Sequence, residues 1–354
     1  MSSANPFIPV HPSSLEVSHS LANATPPLEA TIAALLSAGK GILAADESLP
    51  TIDKRFKPLG IACTEENRRA YRELLFTTPG LNEFISGVIL FDETVRQRTH
   101  DGLSMPEYLA KQGIVPGVKV DKGTAALANC SGETITQGLD GLRERLAGYR
   151  ELGARFTKWR AVITIGDRLP TRTCIEANAL TLALFASLSQ EAGLVPMVEP
   201  EVLMEGNHTI AHCEEVTTFV LQSVFGALFD HQVVLEQMLL KTGMVLSGAD
   251  ASDPAIPDVV AEATLRCLRR TVPAAVPGIV FLSGGQSDVE ATHRLKAICS
   301  AGSVPWKLSF SFGRALQTSA MNTWKGDPDN LAAAQDALHR SAKANSIAIQ
   351  GRQE

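Results

Sequence analysis

Among the 354 residues of this chain, the side chains equipped for proton and carbonyl chemistry stand where apolar runs stop. Asp46 ends Gly-Ile-Leu-Ala-Ala, Lys119 and Asp121 end the run from 115, and Lys241 follows Met238-Leu239-Leu240. Lys158 and Arg160 flank Trp159, and Glu199 and Glu201 flank Pro200. On a strand, every second residue shares a face, so each of those last two pairs is directed one way. Charge turned toward an apolar interior is costly unless compensated, and lysines, an arginine and acids that converge would compensate one another. A structural ion network at a rim would use the same residue types.

Lys241 carries the sharpest chemical reading. A free lysine, with a pKa near 10.4, has only about 0.04 % of its amine uncharged at pH 7. Apolar walls and a neighbouring cation favour the uncharged, nucleophilic form. Such an amine attacks a ketone, the resulting iminium withdraws electrons, and an adjacent C–C bond breaks or forms while carboxylates move protons. No organic cofactor and no metal is required.

The elements that must position these residues follow one rhythm. Apolar runs at 41–46, 85–91, 115–120, 154–165, 195–202, 233–240, 277–282 and 306–312 give eight strand candidates;. Helical patterns fill most of the intervals, at 64–76, 134–152, 171–192, 208–230, 254–270 and 287–300, the last with a Ser287/Glu290 capping box;. Thr25-Pro26-Pro27 opens a first helix on which Leu28, Ile32, Leu35 and Leu36 share a face, and an alanine-rich helix runs from 330 to 349;. This alternation predicts an α/β fold, a single-domain (β/α)8 TIM barrel over 25–350. An irregular arm (1–24) precedes it and a short tail (351–354) follows. An open doubly wound sheet is the alternative, disfavoured because neither Gly-x-Gly-x-x-Gly nor Gly-x-x-x-x-Gly-Lys-Ser/Thr occurs;.

In a barrel the strand carboxyl ends share one mouth, and the loops after strands seven and eight often hold a phosphate on backbone N–H groups. Here those loops read Leu282-Ser283-Gly284-Gly285 and Ser311-Phe312-Gly313-Arg314, with Arg314 as a bidentate donor;. A phosphorylated substrate is expected.

Composition narrows the partners. A net charge of -6 argues against general nucleic-acid binding;. No run approaches 18 apolar residues, so no membrane span or secretion signal is expected and a cytoplasmic location is. Six cysteines without a Cys-x-x-Cys pair signal neither a zinc ribbon nor a disulfide framework;. His208 and His212 are spaced i, i+4 beside Cys213, but the glutamate of His-Glu-x-x-His is missing, and an exposed pair is the better reading;.

Seven segments, taken together, resemble class I fructose-1,6-bisphosphate aldolase: Gly41-Ile-Leu-Ala-Ala-Asp-Glu-Ser48, Gly117-Val-Lys-Val-Asp-Lys-Gly123, Lys158-Trp-Arg160, Val198-Glu-Pro-Glu201, Leu239-Leu-Lys241, Phe281-Leu-Ser-Gly-Gly-Gln-Ser287 and Gly313-Arg-Ala-Leu-Gln317. The resemblance covers roughly 25–350 in order. It implies that Lys241 forms the Schiff base, Glu199 is the acid/base of carbinolamine formation and dehydration, Lys158 is the neighbouring cation, Asp46 handles the C4 hydroxyl proton and Glu201 supports the lysine cluster. It further implies that Lys119 and Arg160 line the pocket. Leu282, Ser283, Gly284, Gly285, Ser311, Gly313 and Arg314 would hold the C1 phosphate, and Ser48, Thr51 and Arg55 the other. The implied reaction is reversible cleavage of fructose 1,6-bisphosphate to dihydroxyacetone phosphate and glyceraldehyde 3-phosphate, by a homo-oligomer of four subunits. An aldolase for another phosphorylated ketose and a non-catalytic scaffold are the alternatives.

Overall fold

The computed structural model describes residues 28–351. The arm expected at 1–24, the Thr25-Pro26-Pro27 opening and all of the expected tail except Gly351 lie outside the described residues. Eight parallel strands close into a barrel: β1 (Gly41–Ala45), β2 (Ile85–Leu90), β3 (Val115–Lys119), β6 (Phe156–Ile163), β7 (Val195–Val202), β8 (Leu239–Thr242), β9 (Gly278–Phe281) and β10 (Lys307–Phe312). Their order around the barrel is β1-β10-β9-β8-β7-β6-β3-β2. A small antiparallel hairpin, β4 (Thr124–Ala126) and β5 (Thr134–Thr136), sits between β3 and β6 in the chain.

Helix α1 (Leu28–Leu35) precedes the barrel, and α2 (Leu49–Phe56), α3 (Glu65–Phe76), α4 (Asp92–Arg96) and α5 (Met105–Lys111) fall between β1 and β3. The remaining helices are α6 (Leu142–Glu151), α7 (Arg172–Glu191), α8 (Ile210–Asp230), α9 (Pro257–Thr271), α10 (Asp288–Ser300), α11 (Arg314–Trp324) and α12 (Leu331–Ile349). The Ser287/Glu290 capping box is present at α10.

Alternation along the strands builds two cores. Leu43, Val88, Trp159, Val198, Leu240 and Phe281 pack outward into the layer shared with the helices. The next residues in register, Ile42, Ala44, Ile89, Phe156, Val195, Met197, Leu239 and Val280, form a separate interior cluster that Ile32, Leu35 and Leu36 join. This cluster is the apolar floor of the barrel. Continuing the same parity by two residues, past Ala44, Phe156, Met197 and Leu239, arrives at Asp46, Lys158, Glu199 and Lys241. The charged layer is therefore the next storey above a dry floor. Gly117 on β3 is required for that floor, because the Phe156 ring occupies the space a Cβ there would need.

Three expectations need correction. The helix expected over 134–152 begins only at Leu142; β-branched Thr134-Ile135-Thr136 forms β5, and Gly138 and Gly141 take left-handed backbone that interrupts a helix;. The strand expected over 233–240 starts at Leu239. Leu235–Gln237 is a 3-10 turn, and Val234 is 45 % exposed, so the apolar run does not read as one buried strand. Helix α8 begins at Ile210 with Thr209 as its cap, which leaves His208 ahead of the helix and buried, so it forms no exposed helical pair with His212. Among the described residues no group of three or more His, Cys, Asp and Glu is placed to hold a metal ion, and no helix is long and apolar enough to cross a membrane.

Candidate active site

Four of the strand-end residues form a continuous ionic chain across the barrel mouth. Lys158 Nζ lies 2.7 Å from Asp46 Oδ2 and 3.1 Å from Glu199 Oε2, and Glu199 Oε1 lies 3.1 Å from Lys241 Nζ. The strands explain the order: β6, β7 and β8 are successive neighbours, so Glu199 stands between the two lysines. The side chains of Lys158 and Lys241 are each only 5 % exposed and that of Glu199 3 %. A cluster this dry is stable only because its charges neutralise one another. Glu199 Oε2 has no aligned donor among the described residues, so its pairing with Lys158 leaves a lone pair unused.

Electrostatics assign protonation states. Burial pushes the Asp46 carboxyl up, but the Lys158 and Lys241 charges, with the Lys158 hydrogen bond, overcome it and lower the group to about 2;. Burial also opposes a charge on Lys158, and the Asp46, Glu199 and Asp121 carboxylates outweigh it, holding the ammonium above the usual lysine range. For Glu199, burial again acts upward, and Lys158, Lys241 and Arg160 bring the carboxyl below its ordinary value. Both carboxylates are thus charged at neutral pH, with Lys158 a fixed cation between them.

Two pairs flank this chain. Lys119 Nζ donates to the Asp121 carboxylate and, at 3.1 Å, to its carbonyl; Asp121 Oδ2 accepts from Arg160 N at 3.2 Å, clipping β3 to β6. Arg160 Nε pairs with Glu201. The structure therefore places Glu201 against an arginine, and among the described residues no ion pair links it to a lysine. Arg160 meets Glu199 in register on the adjacent strand, so both β7 acids were within reach; the side chain takes the one nearer the rim.

The two proposed phosphate ends occupy neighbouring parts of the rim. After β9, Leu282 and Ser283 are buried, Gly284 takes a left-handed φ of 55°, and Gly285 follows. Buried Ser311 lies near the end of β10, followed past the strand by Gly313 and exposed Arg314, whose guanidinium donates to the Gly284 carbonyl and so ties the two loops together. Ser311 Oγ is buried with no hydrogen-bond partner among the described residues. After β1, Ser48 Oγ and Thr51 Oγ1 are 3.0 Å apart at the start of α2, and Arg55, one turn on, pairs with Glu47. Sequence reasoning did not single out α2 or Glu47. A carboxylate next to Asp46 that faces two arginines, Arg55 and Arg72, could have been suspected only once α2 and α3 were known to pack there.

A closed parallel barrel with a buried lysine-carboxylate chain at its carboxyl end, beside glycine loops that free backbone donors, defines an enzyme of carbonyl chemistry on anionic substrates. The family model for fructose-bisphosphate aldolase class-I matches residues 27–354. A Xanthomonas campestris pv. campestris protein named probable fructose-bisphosphate aldolase class 1 is 56 % identical over 326 residues, which is 92 % of this chain and 98 % of that protein. A cytosolic fructose-bisphosphate aldolase of Arabidopsis thaliana is 53 % identical over 88 % of this chain and 80 % of its own. Among solved structures, a Plasmodium falciparum fructose-bisphosphate aldolase in complex with TRAP and a small-molecule inhibitor superposes with a TM-score of 0.91 at 49 % identity, over 92 % of this chain and 95 % of that one. The chain belongs to the class-I fructose-bisphosphate aldolase family.

Proposed function

We propose that this enzyme cleaves fructose 1,6-bisphosphate reversibly to dihydroxyacetone phosphate and glyceraldehyde 3-phosphate, with Lys241 as the Schiff-base nucleophile. The observation that carries this reading is the Asp46-Lys158-Glu199-Lys241 chain, whose members are 2.7 to 3.1 Å apart and nearly dry. Glu199 accepts the proton of the Lys241 ammonium, and the freed amine attacks the C2 carbonyl. The protonated Glu199 then returns its proton to the carbinolamine hydroxyl, which leaves as water, so the iminium forms with the proton count unchanged. Asp46, ionised, accepts the C4 hydroxyl proton as the C3–C4 bond breaks and its electron pair moves into the iminium. The aldehyde departs, Asp46 gives up the proton it took as the enamine gains one at C3, and hydrolysis of the regenerated iminium by water releases the second product and the Lys241 amine. In the resting site Lys158 keeps both carboxylates charged and separate.

Ser283, Gly284, Ser311, Gly313 and Arg314, with Leu282 and Gly285 shaping their loop, suit the C1 phosphate. An orphaned Ser311 hydroxyl and the N-terminus of the 11-residue α11 are donors that an anion would satisfy;. Ser48, Thr51 and Arg55 suit the other phosphate. Lys119 and Arg160 line the pocket, held by Asp121 and Glu201.

Borohydride added with dihydroxyacetone phosphate is expected to fix a covalent adduct on Lys241, identified by peptide mass, and prolonged treatment with a chelator is expected to leave turnover unchanged. An adduct on another lysine, or none, would sink the assignment. We also assign the protein to the cytoplasm and to a homotetramer. The cytosolic names of plant relatives and outward Leu180, Phe219 and Phe229, 46 %, 56 % and 81 % exposed on α7 and α8, support these readings;. Sedimentation of the full chain at micromolar concentration checks the second: a monomer would contradict it.

A further inference from the structure

Gln317 has no part in the chemistry above, yet it is wholly buried on α11, three residues past Arg314. Among the described residues its side chain makes three hydrogen bonds, and all leave the helix. Oε1 accepts from Tyr71 Oη at 2.9 Å and from Arg55 Nη1 at 3.1 Å, while Nε2 donates to the Ala44 carbonyl at 2.6 Å. A guanidinium can only donate and a carbonyl can only accept, and the amide, with an acceptor oxygen and a donor nitrogen, satisfies both sides. One side chain thereby joins α11, α2, α3 and the β1 residue two places before Asp46.

Arg55 is 13 % exposed and also pairs with Glu47, whose other oxygen takes Arg72 at 2.7 Å. Glu47 supplies the neutralising charge; Gln317 supplies a second, directional contact that fixes where the guanidinium points. Because α11 starts at Arg314, the same amide connects the end of the pocket assigned to the first phosphate with the end assigned to the second.

We infer that Gln317 is a positioning residue that sets the preference for a doubly phosphorylated ketose, by holding Arg55 in register with β1 and with the α11 turn. The inference rests on the reading of Arg55 as a ligand of the second phosphate. A ketose with a single phosphate, at C1, makes no use of Arg55 and gains nothing from Gln317. A residue that merely fills the core would instead affect both kinds of substrate alike.

The test compares fructose 1,6-bisphosphate with fructose 1-phosphate in steady state, using the full chain and the variants Gln317→Leu, Arg55→Ala and their combination. For Gln317→Leu, kcat/KM on the bisphosphate is expected to fall about 10-fold to 100-fold, mostly through KM, as for a lost hydrogen bond to a charged group. Activity on fructose 1-phosphate should stay within about twofold. The double variant should discriminate no worse than Arg55→Ala alone, since the two act as one unit. Equal losses on both substrates, or a normal ratio in Gln317→Leu beside a reduced one in Arg55→Ala, would overturn the inference alone. An unchanged ratio in Arg55→Ala would overturn the assignment of Arg55, and the inference with it. If Gln317→Leu does not fold, Gln317→Asn, an amide one methylene short, carries the same comparison.

Discussion

Lys241→Met is expected to reduce kcat for fructose 1,6-bisphosphate cleavage by on the order of 10⁵-fold, comparable to losing the nucleophile of other covalent mechanisms, or about 7 kcal/mol of barrier. The substitution is structurally mild. Lys241 lies on the inward face of β8 directly above Leu239, its stem is buried, and methionine replaces most of that volume without branching;. Glu199 loses one cation but keeps Lys158 at 3.1 Å, so each carboxylate of the chain retains an ion-pair partner. Far-UV circular dichroism and the unfolding midpoint should therefore stay close to those of the parent. Lys241→Arg separates charge from nucleophilicity. Arginine retains a cation beside Glu199 but does not deprotonate in proteins, so it should be as inactive as methionine and give no borohydride adduct. Substantial activity in Lys241→Arg would mean that the residue acts only as a charge.

Why the lysine could be picked out beforehand, and much of its setting could not, is a matter of range. Period-two alternation is local, and in β6 and β7 it placed Lys158 and Arg160, and Glu199 and Glu201, on inward faces before any strand was paired. The apolar floor obeys the same parity. What the sequence did not disclose are pairings that depend on the register between strands and on helices docking later. Arg160 had Glu199 and Glu201 as possible partners, and only the geometry of β6 against β7 selects Glu201. Short rim elements escaped for a different reason. Helix α4 has five residues and β4 and β5 three each, too few for a period to show;. Gln317 is the extreme case: a polar residue on the buried face of α11 beside Leu316, Ala320 and Met321, it reads as a flaw in an apolar stripe until Tyr71, Arg55 and Ala44 are seen around it.

Asp46→Asn should divide the reaction in two. Asparagine keeps the shape of the side chain and removes the charge, so retro-aldol turnover is expected to fall by about 10²-fold to 10⁴-fold, the usual range for a lost general base. In the proposed mechanism Schiff-base formation needs only Lys241 and Glu199, whose 3.1 Å contact Asp46 does not make, so dihydroxyacetone phosphate should still be trapped by borohydride. Equal loss of trapping and cleavage would show that Asp46 serves the whole charge cluster instead of the C4 hydroxyl. A carboxylate held at about 2 is a weak base in the resting site. In the role proposed for Asp46, proton acceptance is accordingly coupled to C3–C4 cleavage, when the iminium draws away the electron pair. The same depression carries a stability signature whose sign is fixed. The folded chain favours ionised Asp46 relative to the ordinary value of 3.8, so this contribution is complete above about pH 4 and is lost as pH falls toward 2. Its size is on the order of 2 kcal/mol. Unfolding free energy measured by denaturant titration should therefore fall less steeply from pH 4.5 to pH 2.5, about the range of that titration, in Asp46→Asn than in the parent. At neutral pH the variant should be the less stable of the two, because Lys158 has lost the nearer of its two carboxylates. A parallel acid limb in both proteins would place the proton-linked stability elsewhere in the cluster, and the pairing of Asp46 with Lys158 would then have to be looser in solution than the 2.7 Å contact implies.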